Sequence, residues 1–92
     1  MIAAVTVTTS PTEVLAAPTG RPYQFVALSN NGAETVWLKV VAGGDPVSPS
    51  NGIQLAAGAS FVVDQDNQAR MFKSGVTAVT GANSTTIGVQ AF

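Results

Sequence analysis

Val36-Trp37-Leu38-Lys39-Val40-Val41 decides the fold. Side chains alternate along an extended chain, so Val36, Leu38 and Val40 face one way while Trp37, Lys39 and Val41 face the other. Thr35 to Val41 is therefore predicted to be a strand. Trp37 admits two placements. If the Val-Leu-Val face is the core, Trp37 stands outside beside Lys39, whose aliphatic stem can lie along apolar surface, and the pair reads as an interface anchor. If the alternation is inverted, or both faces are covered within a sandwich, Trp37 is an ordinary core residue.

Outward from this stretch the same period of two recurs. Ala3 to Thr9 alternates Val5 and Val7 with Thr6 and Thr8 and stops at Ser10-Pro11. Thr12 to Ala16 is a short strand closed by Ala17-Pro18-Thr19-Gly20. Tyr23 to Ser29 is a third, ended by Asn30-Asn31-Gly32, where Asn-Gly predicts a hairpin into Thr35 to Val41. Ala42 to Gly52 contains three glycines and two prolines without periodicity, and is predicted to be a long loop crossing between sheets. Ile53 to Leu55 and Ser60 to Val63 flank the turn Ala56-Ala57-Gly58. Asp64-Gln65-Asp66-Asn67 makes another turn, Gln68 to Ser74 and Gly75 to Thr80 are further strands, and Gly81-Ala82-Asn83 leads into a final strand, Thr85 to Ala91. No window holds helical spacing for three turns without glycine, proline or a run of Thr and Val. Short strands with turns every 8 to 12 residues or so predict an all-β fold, an antiparallel sandwich or small barrel. The expectation is a jelly-roll-like β-sandwich of seven to nine short strands, one domain spanning 1–92, because 92 residues cannot bury two cores.

Composition narrows the function. Only 10% of residues are charged and the formal net charge is −1, so no broad field exists to capture nucleic acid or anionic lipid. Cysteine and histidine are absent, which removes disulfides, thiolate nucleophiles, imidazole bases and most transition-metal sites. The chain is 46% hydrophobic, the opposite of a disordered composition. Its surface is expected to be neutral and polar, of the kind that suits permanent contact. No basic residue precedes Arg21, and threonines break the early apolar run, so neither a signal peptide nor a membrane span is expected. Phe92 is expected to be a packing residue rather than the aromatic end of a membrane barrel.

Catalytic constellations are not found. Glu13, Glu34, Asp45, Asp64 and Asp66 fall at strand ends or turns, where they are solvated and unsuited to paired acid and base work. The serines have no histidine to activate them, and Gly43-Gly44-Asp45 lacks the lysine and helix of a phosphate cradle. Asp64, Asp66 and Asn67 could donate oxygens to calcium, but their spacing is that of a turn and not of a calcium loop. No enzyme activity, cofactor or metal is expected.

Candidate interface residues are Trp37, Lys39, Arg21, Tyr23 and Phe25. Tyr23, Phe25 and Ala27 share one face of their strand and Gln24, Val26 and Leu28 the other, so both faces are expected to be covered, either because the domain is thick there or because an oligomer buries the second face. Arg21, Arg70 and Lys73 are too few for a patch and read as solvated strand-end charges. Arg21 nevertheless has the guanidinium geometry for a bidentate contact with a partner carboxylate.

From Arg21 to Phe92 the order of blocks resembles the small bacteriophage capsid decoration, or cement, proteins and related head-fibre bases. The blocks are Arg21 at a strand entry, Leu28-Ser29-Asn30-Asn31-Gly32, Val36-Trp37-Leu38, Gly52-Ile53-Gln54-Leu55-Ala56-Ala57-Gly58-Ala59-Ser60-Phe61, and Ile87-Gly88-Val89-Gln90-Ala91-Phe92. The resemblance implies a β-sandwich, often a jelly roll. It also implies a place on the capsid exterior of a virion assembled in the host cytoplasm, commonly as a homotrimer clamping major capsid protein subunits. Neither nucleic acid nor membrane is an expected partner. A chain of this length buries only about 60 to 65% of its unfolded surface, so partner contacts would add stability by mass action. The alternative is a carbohydrate-binding module of a tail fibre or adhesin, with Trp37 as the glycan platform.

Overall fold

Threonine, valine and alanine in alternation leave the chain little choice but to extend, and the structure, a computed structural model describing residues 2–40, 46–64 and 72–92, turns these stretches into eight strands. They are β1 (Ile2–Val7), β2 (Thr12–Leu15), β3 (Val26–Asn30), β4 (Val36–Lys39), β5 (Ile53–Leu55), β6 (Ser60–Val63), β7 (Val76–Thr80) and β8 (Thr85–Ala91). Two four-stranded antiparallel sheets result, one ordered β1-β8-β3-β6 (sheet A) and the other β2-β7-β4-β5 (sheet B). First pairs with last, second with seventh, third with sixth, and fourth with fifth. That is one long antiparallel hairpin rolled over on itself, the jelly roll. The predicted sandwich is thus the observed architecture.

The core lies between the sheets and follows the alternation. Val36, Leu38 and Val40 point into it, with Leu28, Val26, Ile87, Val89, Val76 and Leu15. Phe72 is wholly buried and meets the half-buried Phe61 edge to face, with ring centroids 6.0 Å apart. Aromatic pairs prefer such geometry because the positive ring edge faces the negative ring plane.

Connections depart from the expectation in three places. Asn30-Asn31-Gly32 does not make a hairpin, since β3 and β4 lie in different sheets. Asn30 is instead a corner, and its fully buried side chain has too many partners to be a turn tip. Its amide donates to the carbonyls of Glu34 at 2.6 Å and Leu55 at 3.0 Å, and its oxygen accepts from the Thr85 hydroxyl at 3.0 Å and the Gly32 amide at 3.3 Å. A Cβ on Gly32 would overlap the Thr85 side chain, so glycine is required there for close approach. The second departure is the long loop, which joins β4 and β5 as neighbours in one sheet rather than crossing between sheets. These strands are the closed tip of the rolled hairpin, so β5 folds back onto the side of β4 that β7 leaves free. The third is Phe72 to Ser74, where a strand was expected and a tight turn closes with the Gly75 amide on the Phe72 carbonyl at 2.8 Å. The rest of the expected strand, Gln68 to Met71, lies outside the described residues, as do Val41 to Asp45, Asp66 and Asn67 of the possible calcium turn, and Arg70.

Strand bounds also move. The third strand begins at Val26, not Tyr23, and ends at Asn30. Gln24 and Phe25 both donate to the Phe92 carbonyl, at 2.7 and 3.1 Å, which crowds the end of the ladder. The expected strand with two apolar faces is therefore shorter than expected, with only Ala27 and Ser29 on its outer side.

Candidate association surface

Cross-strand register defines the outer face of sheet A. Directly opposite residues share a face, so Ile2, Gln90, Ala27 and Val62 form one row and Ala4, Gly88, Ser29 and Ser60 the next. Small residues dominate the second row, while Gln90 stands exposed between Ile2 and Ala27 in the first. Ala27, Ser29 and Gly88 floor a shallow open groove whose flanks are Ile2 on one edge strand and Val62 on the other. The Asn31 amide lies over Gly88, where a Cβ would come within 2.7 Å of its nitrogen, and its oxygen accepts from the Ser29 hydroxyl at 2.8 Å.

One end of this face is aromatic. Phe92 donates to the Phe25 carbonyl at 3.1 Å, continuing the β3–β8 ladder by one pair, and the two rings stack at 5.2 Å with 13° between planes. Phe92 thus packs as expected, though on the outside, with 62% of its surface exposed. Ile2 is 82% exposed and Val62 58%, so three of the four most exposed large apolar residues among those described border sheet A. No charged residue stands in either row. Burial of such a surface requires no ion to be desolvated.

Sheet B is different. Trp37 does project from its outer face, opposite Gln54 and Val79, with Lys39 beside it opposite Thr77. The chain itself half covers the indole. Gly52 lies so close that a Cβ there would come within 2.6 Å of Trp37 Cβ and 3.0 Å of a Val47 methyl, and Gly81 approaches the ring edge at 3.5 Å. Val47 and Val79 are buried without belonging to the main core, so a small second cluster caps this face. Trp37 is accordingly neither a core residue between the sheets nor an open platform.

The remaining expected interface residues are spread out. Tyr23 turns inward against the core, and its hydroxyl donates to the Ala16 carbonyl at 2.6 Å. Burial, and secondarily the Glu13 carboxylate, raise its pKa. Arg21 is exposed and lines an open pocket of about 360 Å³ with Pro18, Gly20, Pro22 and Lys73. Of the five, Phe25 alone reaches the sheet A face, while Trp37 and Lys39 share the opposite one. Trp37 and Tyr23 do not combine into a glycan platform. The Phe25–Phe92 pair and the small-residue floor were not foreseen, because each depends on a register between segments far apart in sequence.

Among the described residues no group of three carboxylates converges. Asp64 is exposed, and the Glu34 carboxylate accepts from the Asn83 amide at 2.7 Å, tying two loops together. No helix among the described residues is long and apolar enough to cross a membrane. No protein-family model, curated protein or solved structure matches the chain.

Proposed function

We propose that the chain is a non-catalytic virion component that decorates a bacteriophage capsid and stabilises it by bridging major capsid protein subunits through the outer face of sheet A. The observation that carries this reading is the uncharged groove between Ile2 and Val62, on a sheet face that ends in the Phe25–Phe92 stack. A neutral, weakly apolar face binds by area and shape, which suits a surface occupied once at assembly and kept. Several such contacts made by one oligomer act together and raise the cost of prising subunits apart.

The test is add-back to capsids of the encoding phage stripped of this chain, read by co-sedimentation. Val62→Asp should abolish attachment while the free protein stays folded, since Val62 already faces solvent. Undiminished attachment of Val62→Asp would remove the sheet A face from the function. Binding of the free protein to a glycan array, with none to capsids, would instead favour the carbohydrate-binding module.

A further inference from the structure

Every open sheet has edge strands whose outward N–H and C=O groups can template another strand, and proteins usually blunt them. Three of the four edges here are blunted. β2 follows Pro11, carries Glu13 and is broken by a bulge between Glu13 and Leu15. β5 has three residues, and β6 has four and runs into the exposed Asp64. β1 has no such device. It is six residues long, has no proline, glycine or charge, keeps continuous register with β8 from Ile2 to Val7, and no described element pairs with its other side. It also carries Ile2, the most exposed large apolar residue of those described.

We propose that β1 pairs antiparallel with β1 of a second copy, about a twofold axis through Ala4, joining two four-stranded A sheets into one. The faces fix the register. Ile2, Ala4 and Thr6 point outward and Ala3, Val5 and Val7 inward, so inner and outer faces stay continuous only if even residues oppose even ones. An axis at Ala4 sets Ile2 against Thr6 of the second copy and Ala3 against Val5 and leaves out only Val7, which is already buried, whereas an axis at Val5 leaves out Ile2, the exposed apolar residue that gains most from a neighbour. A β1-to-β6 addition would instead be head to tail, which cannot close as a pair, and β6 offers only four residues. Self-pairing closes. No like charges meet, because the strand has none. The pairing leaves the groove floor of Ala27, Ser29 and Gly88 open and places two such grooves side by side, and it holds whether or not a capsid is the surface they meet.

Sedimentation equilibrium of the whole chain, with cysteine cross-linking, tests this. The natural sequence contains no cysteine, so each introduced thiol is the only one. The wild type should be a dimer at about 100 micromolar and dissociate on dilution. Ala4→Lys, at an exposed position, should raise the dimer Kd about tenfold or more by setting two ammonium groups opposite each other, with an unchanged melting profile for the monomer. Ala4→Cys should oxidise to a disulfide-linked dimer, and Ile2→Cys mixed with Thr6→Cys should cross-link faster than either alone. Gln54→Cys, on sheet B, should not cross-link. A monomeric wild type at this concentration, or a dimer that Ala4→Lys leaves intact and Ala4→Cys does not trap, overturns the proposal. Should Ala4→Lys fail to fold, the Ala4→Cys result decides alone.

Discussion

Replacing Asn30 should unfasten one end of the sandwich. The side chain is fully buried and makes four hydrogen bonds, two donated to the Glu34 and Leu55 carbonyls and two accepted from Thr85 and Gly32. Its backbone adds two more, accepting from the Gly58 amide and donating to the Ala59 carbonyl, each at 2.9 Å. Asn30→Ala spares those but strands the four side-chain partners, of which the Leu55 carbonyl and the Thr85 hydroxyl are in buried positions. At about 1 kcal/mol net for each bond, reduced because Glu34 is half exposed, the loss is about 3 kcal/mol. In a domain of this size that lowers Tm by about 12 to 24 °C. Asn30→Asp is the sharper variant, since it has the same shape but turns a donor toward two carbonyls into an anion. It should be at least as destabilising as alanine near neutral pH and recover in part in acid, where the protonated carboxyl can donate once. Urea denaturation of the three proteins at two pH values measures this. Both variants within about 0.5 kcal/mol of wild type would refute the corner as a structural clamp.

Trp37→Ala should leave the core intact but loosen the cap over sheet B. The indole is only half covered, so the cost should be about 1.5 to 2.5 kcal/mol rather than the 3 to 5 or so of a buried aromatic, measured by urea denaturation. Tyr23 has its pKa raised in the folded chain, so the native state holds that proton longer than the unfolded state does. Its contribution should be complete below the usual tyrosine value of about 10 and decline as pH rises through the higher folded value. Tyr23→Phe should lose about 0.5 to 1 kcal/mol at neutral pH and show a shallower alkaline decline, and parallel profiles for the two proteins would contradict this. The Thr80 hydroxyl is buried with no hydrogen-bond partner among the described residues, so Thr80→Val, which keeps the shape, should stabilise the domain by about 1 kcal/mol in thermal melts.

Strand faces were legible because they are local: Val36, Leu38 and Val40 had to share a side whatever the tertiary structure, and they point into the core. Pairing was not. Asn-Gly carries a strong local preference for a two-residue hairpin, but the Asn30 amide gains more from Leu55 and Thr85, which no local reading can place beside it. In the rolled hairpin the most distant segments, β1 and β8, are partners. The Phe25–Phe92 stack inherits this long range, which is why Phe25 could be picked as an interface residue while its aromatic partner was read as plain packing. The loop after β4 was misread for the opposite reason. Its composition says only that it is irregular, and returning to the same sheet follows from β4 and β5 being the hairpin's closed tip.

The two outer faces show how so few charges can suffice. On sheet B the largest aromatic is covered from within, by a loop whose Gly52 has no Cβ to hold it off, and Lys39 and Glu13 supply the charge of that side. Sheet A has no such cover and no charge in its two central rows, yet its floor is built of alanine, serine and glycine, with the neutral amides of Gln90 and Asn31 beside them, rather than large apolar residues. A monomer gains little from such a floor, since small side chains bury little area and contribute little to the core beneath. A partner gains close backbone approach and a flat surface with no ions to desolvate. The larger apolar groups, Ile2, Val62 and Phe92, stand at the margins of this floor, where they would close over whatever is seated on it. An arrangement that wastes burial in the isolated chain and recovers it on contact is what the proposed assembly role requires.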